Sequence, residues 1–152
     1  MPRNAHNAYL ESRILSAQPV ELICLLYQGA ISEVREARRH LQDKNIRARS
    51  KSISKVHDIL SELTTVLDHK QGGEIAKNLA RLYDYMMRRV TEANFKQIDE
   101  PLVEMLGLLT TLKEGWDGVL EQQARPAAPS AGNAWAQAAT QDASSGSQAW
   151  SF

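Results

Sequence analysis

The sequence is poor in the residues that usually announce chemistry. It has one cysteine, Cys24, in 152 residues, which excludes an internal disulfide and any zinc site built from several cysteines. It has no excess of either charge, since 18 Lys and Arg stand against 18 Asp and Glu. Bulk attraction to nucleic acid or to an anionic membrane is therefore not expected. It has no apolar run near the ~18 residues of a membrane span, so direct membrane insertion is not expected either. Its first residues, Met1-Pro2-Arg3-Asn4-Ala5-His6, lack the apolar core and cleavage site of a secretory signal. Aromatic residues make up only 6%, and two of the three Trp, Trp135 and Trp150, fall in the last eighteen residues. These absences describe a soluble intracellular protein and exclude several classes of enzyme.

Catalytic and metal-binding patterns are missing as well. A di-iron helical bundle needs Glu-x-x-His on two helices; here Glu36 and His40 are four apart, and no other pair comes closer to the pattern. His6, His57 and His69 have no Cys or second His at ligand spacing. Gly72-Gly73 is not followed by Lys-Ser/Thr, so it reads as a helix break rather than a phosphate loop. Cys24 lies in the run Leu22-Ile23-Cys24-Leu25-Leu26 and reads as a small core hydrophobe. No catalytic, cofactor-binding or metal site is expected, and the chain is not read as an enzyme.

What the sequence does have is helical periodicity. Residues 16–122 hold nearly all the Leu, Ile, Val and Met, and residues 123–152 hold none. That last stretch contains ten Ala, five Ser and four Gln, too little apolar surface to offset the entropy of ordering it, so a disordered tail is expected. Within 16–122 the apolar residues fall on four stripes at the spacing of an amphipathic helix. Over 19–41 they are Ile23, Leu26, Tyr27, Ala30, Val34, Ala37 and Leu41. Over 45–68 they are Ile46, Ile53, Val56, Leu60, Leu63 and Leu67. Over 74–95 they are Ile75, Leu79, Leu82, Met86, Val90 and Ala93. Over 101–120 they are Leu102, Met105, Leu109, Leu112, Trp116 and Val119.

The punctuation fits these spans. Pro19 with Glu21 opens the first, Asp43 or Asn45 caps the second, Gly72-Gly73 separates the second from the third, and Asp99-Glu100-Pro101 opens the fourth. Short connections make successive helices antiparallel neighbours. The expected fold is an all-α, up-down four-helix bundle over 16–122. Residues 1–15 form an N-terminal segment with a short helix carrying Ala8, Tyr9 and Ile14.

Two features point outward from that core. Residues 35–55 carry eight Lys and Arg, whereas 97–122 carry six acids against Lys113. The basic segment is read as a solvated bundle end facing complementary charge; the alternative is a regulatory or nucleic-acid-binding patch. There are also more apolar residues than one stripe per helix requires. Leu22 and Leu25, Tyr83, Tyr85 and Met87, and Val103, Leu106 and Leu108 lie beside the stripes. Surplus apolar positions suggest a groove for a partner or a seat for residues 1–15.

The residues are also recognisable. Gly72-Gly73-Glu74-Ile75-Ala76-Lys77-Asn78-Leu79-Ala80-Arg81-Leu82-Tyr83-Asp84-Tyr85-Met86-Met87-Arg88-Arg89-Val90, followed by Glu92-Ala93-Asn94, resembles the signature of the FliS family, flagellin-specific chaperones of flagellar export. Ser16-Ala17-Gln18-Pro19-Val20-Glu21-Leu22, Leu26-Tyr27-Gln28-Gly29-Ala30, Ala8-Tyr9 and Trp116 fit the same pattern, so that the resemblance covers residues 5–120. Three positions depart from it: His6 replaces an apolar residue, Gln18 a Ser or Thr, and Gln28 an Asp.

The resemblance implies a cytosolic chaperone without cofactor or catalysis. It would bind the C-terminal segment of flagellin, prevent premature polymerisation, and help deliver the client to the cytosolic domain of the export gate protein FlhA. Leu22, Leu25, Leu26, Leu82, Tyr83, Tyr85, Met86 and Met87 are the candidates for the flagellin groove. Tyr9 is the candidate for the gate contact and for covering the empty groove. Association into a homodimer is left open.

Overall fold

In the computed structural model, residues 19–125 are described, and among them every regular element is an α-helix. The short N-terminal helix, His6, Tyr9 and the tail from residue 126 onward lie outside the described residues. The elements are α1 (Pro19–Gln42), α2 (Ile46–Thr65), α3 (His69–Lys96) and α4 (Glu100–Ala124). Residues up to Val119 belong to one compact unit and those from Leu120 onward to a second. Of the second, the described part is the end of α4 up to Arg125.

Local chemistry sets the helix ends. Asn45 caps α2, its side-chain oxygen accepting from the Ala48 amide at 3.1 Å. Asp68 caps α3, accepting from the amides of Lys70 and Gln71, both at 3.1 Å. Each such cap contributes ~1 kcal/mol. Gln97 ends α3 in the left-handed conformation. Asp99 precedes α4, but its carboxylate is bound by Arg38 of α1 at 2.8 and 2.9 Å, so it ties two helices together instead of capping one.

The helix break expected at Gly72-Gly73 is present at Gly73, but a second break precedes it. The α2–α3 break falls at Val66–Asp68, and both glycines lie inside α3. The Asp68 carboxylate starts the helix five residues earlier than the apolar pattern alone indicates. The glycines still mark a discontinuity. Gly73 has φ of 48° and ψ of −121°, which only glycine adopts without strain, and α3 kinks there. The fourth helix also runs four residues past the expected 120, so residues 123 and 124, assigned to the tail from composition, are helical.

Cross-helix contacts fix the directions. Ser61, His57 and Arg49 of α2 bond to Met87, Thr91 and Asn94 of α3, in reversed order along the two chains. Arg38 near the end of α1 meets Asp99 before α4, while Cys24 near its start meets Asp117 near the end of α4. The unit ending at Val119 is thus the antiparallel up-down arrangement expected.

The core is made of the expected stripes. Tyr27, Ala30, Val34 and Ala37 form one buried cluster with Ile53, Val56, Leu60 and Leu63, with Met86, Val90 and Ala93, and with Leu102, Met105 and Leu109. Three stripe residues depart from it: Ile46, Ile75 and Val119 are exposed. Each lies at an end of its stripe. Ile31 joins the core although it was not on the expected stripe.

Candidate functional site

One end of the bundle is open. The start of α1, the end of α2, the start of α3 and Trp116 of α4 enclose a cavity of about 330 Å³. Pro19, Val20 and Ile23 line one side, Leu63, Val66 and Leu67 a second, and Ile75, Ala76 and Leu79 a third. The walls are almost wholly apolar. The kink at Gly73 lies beside this rim, where Gln71 and Gly72 also line the cavity. A Cβ at Gly72 would come within 2.9 Å of the Ala76 Cβ, so the wall is tightly drawn there. Ile75 is 72% exposed on the rim, an apolar side chain that the other described residues leave largely in water.

A polar relay forms the floor. Tyr83 lines the cavity and is buried, and its hydroxyl is bonded to that of Tyr27, which is fully buried. Either hydroxyl of the pair can be the donor. Burial raises the pKa of Tyr27 far above the ordinary phenol range, and the bond to Tyr83 adds to the rise. Burial raises Tyr83 as well. Both phenols stay neutral at any physiological pH, so the relay has a structural role.

Cys24 is the remaining reactive group near the open end. Burial, and then its bond to the Asp117 carboxylate, push its thiol up to about 11. Asp117 is itself held below the usual carboxylate range, first by Lys113 at 2.7 Å. The thiolate is the nucleophile, so at pH 8 the native protein is expected to resist iodoacetamide at Cys24, while urea-unfolded protein alkylates readily. Equal labelling of both states, read by mass spectrometry, would contradict the burial and the Asp117 contact. The sign for stability follows. The folded state holds this proton more tightly, so its contribution is intact below pH 9 and is lost as pH rises through about 11.

The groove candidates separate in the structure. Leu22, Leu82 and Met87 are half-buried against the core, and Leu25 is half-buried. Leu26 and Met86 are buried within the core and offer no surface. Tyr83 reaches the cavity through its ring. Tyr85 points elsewhere, at 37% exposure, donating to Glu104 at 2.6 Å. Glu104 is held below its usual pKa by that bond first and then by Arg89 at 3.2 Å. The cavity residues Pro19, Ile23, Leu63, Leu67, Ile75 and Leu79 were assigned to helix starts or core stripes from sequence alone. The end position of each was the available signal, since stripe residues in a last turn have fewer neighbours to cover them.

Four of the eight Lys and Arg in 35–55 are matched by acids or polar groups among the described residues, Arg49 by Asn94. Arg38 binds Asp99, Arg39 binds Glu36, and Lys55 lies 3.6 Å from Glu33. His40 also lies 3.6 Å from Glu36. Among the described residues no group of three or more His, Cys, Asp or Glu could hold a metal ion. None of the helices among them is long and apolar enough to cross a membrane.

The family model described as "Flagellar protein FliS" matches residues 2–123. The flagellar secretion chaperone FliS of Salmonella typhimurium is 40% identical over 108 residues, covering 70% of this chain and 80% of the relative. FliSB of Pseudomonas aeruginosa, also a flagellar secretion chaperone, is 38% identical over 110 residues, covering 72% and 87%. A crystal structure of a bacterial flagellar chaperone superposes with a TM-score of 0.65 at 20% identity, covering 80% of this chain and 99% of that one; it speaks to the fold.

Proposed function

The chain belongs to the FliS family of flagellar secretion chaperones, and from that premise we propose that its client is the C-terminal segment of flagellin. The family is not one of enzymes, and its chaperone role in flagellar export implies a secreted flagellar substrate. The cavity between Pro19 and Trp116 carries the proposal for the client site. A segment that must later pack into a filament core is apolar at intervals and would pair with other copies if left free. A cavity with an apolar lining and exposed Ile75 at its rim suits such intervals, in the helix-in-groove manner. Four or five anchors at ~1.5–3 kcal/mol each would hold the client. Ordering it removes several kcal/mol of that gain, on the order of 2–5, which keeps the complex reversible.

The last helix supports the same reading. Gly107, Gly115 and Gly118 lie on one side of α4 by helical spacing, and a Cβ at any of them would meet nothing. Each costs the helix ~1 kcal/mol relative to Ala. Nothing within the described chain needs their small size, whereas a client helix lying close to α4 would.

We assign residues 1–15 the role of a cap. They lead to Pro19, which stands on the cavity wall, and Tyr9 would serve both to cover the empty cavity and to contact the FlhA cytosolic domain. The chaperone would act in the cytosol, before export. Equimolar chaperone is expected to suppress elongation of flagellin from filament seeds, followed by light scattering; an unchanged elongation rate contradicts the proposal. Tyr9→Ala is expected to keep flagellin binding while lowering export and swimming. Normal motility in that variant would remove the gate role.

A further inference from the structure

Two apolar side chains stand in water at the opposite end of the bundle. Phe95, near the end of α3, is 86% exposed, and Ile46, the first residue of α2, is 56% exposed. Both lie within a turn of one junction. Arg49, three residues after Ile46, donates from Nε to Asn94 Oδ1 at 2.9 Å and from its terminal nitrogen to the Asn94 carbonyl at 3.3 Å. Asn94 immediately precedes Phe95, and Ser50 donates to the same Oδ1 at 3.3 Å. The α2 helix separates this end from the cavity by ~30 Å, at 1.5 Å per residue over its 20 residues.

The charge around this junction is unbalanced. Arg49 is buried at 3% exposure, and the partners found for it are neutral amide groups. Lys44, Arg47 and Lys51 are exposed and make no ion pair among the described residues. Arg38, Arg39 and Lys55 of the same basic segment are matched by acids. Of the nearby acids, Glu92 is taken by Arg89 at 2.8 Å and Lys96 at 3.0 Å, which leaves Asp43 and Glu100 against three cations without an ion pair among the described residues.

We propose that this end is a docking surface for an acidic protein segment presenting an apolar anchor between carboxylates. Phe95 and Ile46 would receive the anchor, and Lys44, Arg47 and Lys51 would meet the flanking acids. A second copy of the chain is the poorer occupant, because a two-fold contact would set these cations against their own copies. Nucleic acid fits less well too. One exposed ring beside an aliphatic side chain is not a platform for successive bases, and three cations neutralise few phosphates. Because the surface lies at the far end from the cavity, the partner could bind while the client is held.

The probe is a synthetic peptide with Leu and Phe set between Glu-Asp pairs, titrated into isotope-labelled full-length protein. Saturable amide shifts are expected around residues 44–51 and 92–97. A Gln-Asn version of the peptide should bind roughly tenfold more weakly, as loss of complementary charge requires. Phe95→Ser should abolish the shifts, and so should the double variant Arg47→Glu/Lys51→Glu, which keeps the test open if the first variant loses its fold. Both should bind a flagellin C-terminal peptide as the parent does. The proposal is overturned by absent saturable shifts or by equal binding of the neutral peptide. It is also overturned if oligouridylate binds as tightly, or if sedimentation shows a dimer that Phe95→Ser disperses.

Discussion

Ile75→Glu is expected to raise the Kd for a flagellin C-terminal peptide by roughly 10- to 100-fold, from ~1.5–3 kcal/mol of lost apolar burial at 1.4 kcal/mol per decade. The side chain is on the cavity rim and largely in water, so the free protein loses little. Its stability should change by no more than ~0.5 kcal/mol, as at other surface positions. A client docked in the cavity would bring its apolar groups against the new carboxylate, which must then stay hydrated or be buried without a partner. Ile46→Glu is the matched control, with the same chemistry at the far end of α2, and should leave client affinity unchanged. Calorimetric titration of both variants checks this. Equal affinities would show that the cavity is not where the client binds.

Tyr27→Ala should be among the most destabilising single changes in the chain. It removes a fully buried aromatic from the meeting point of α1, α3 and Trp116. Large-to-small changes of this kind cost ~3–5 kcal/mol, out of a total that is ~5–15 kcal/mol for an ordinary domain. Tm should fall by more than ~10 °C, since each kcal/mol moves it by about 4–8 °C at this size. Tyr27→Phe separates the hydroxyl from the ring. It keeps the volume but strips a partner from the buried Tyr83 hydroxyl, at ~1–3 kcal/mol. Adding Tyr83→Phe removes that orphan, so the double variant should be no less stable than Tyr27→Phe. Thermal melts of the three variants decide this. A double variant that loses the sum of both single effects would contradict the relay.

The fold was legible because helical periodicity needs only neighbours within the chain. Val34, Val56, Leu60, Val90, Met105 and Leu109 are buried as their spacing requires. The same pattern could not mark where a stripe runs out of neighbours. Ile46, Ile75 and Val119 look like core residues in sequence and are exposed. Both exposed isoleucines carry functional proposals, so periodicity concealed them by assigning them an ordinary role. The cap at Asp68 was hidden for a related reason. The apolar pattern begins only at Ile75, while a carboxylate two bonds from the backbone starts α3 at His69.

Polar burial was the least legible part. Arg49 reads as one more cation in a basic run, and only the approach of Asn94 from α3 makes it interior. The resemblance identified the family and its signature, but a signature cannot say which of its residues face inward. Leu26 and Met86 are core, Tyr83 is core and cavity at once, and Tyr85 faces solvent and Glu104. That distinction needs the relative rotation of packed helices, which no single helix encodes.

Whether this chain holds the C-terminal segment of flagellin is measured directly by the affinity of the full-length chaperone for intact flagellin and for flagellin lacking that segment, under the same salt and temperature. Binding to the intact protein with at least a hundredfold loss on truncation, about 2.8 kcal/mol, is the result expected. Undiminished affinity for the truncated flagellin would contradict it.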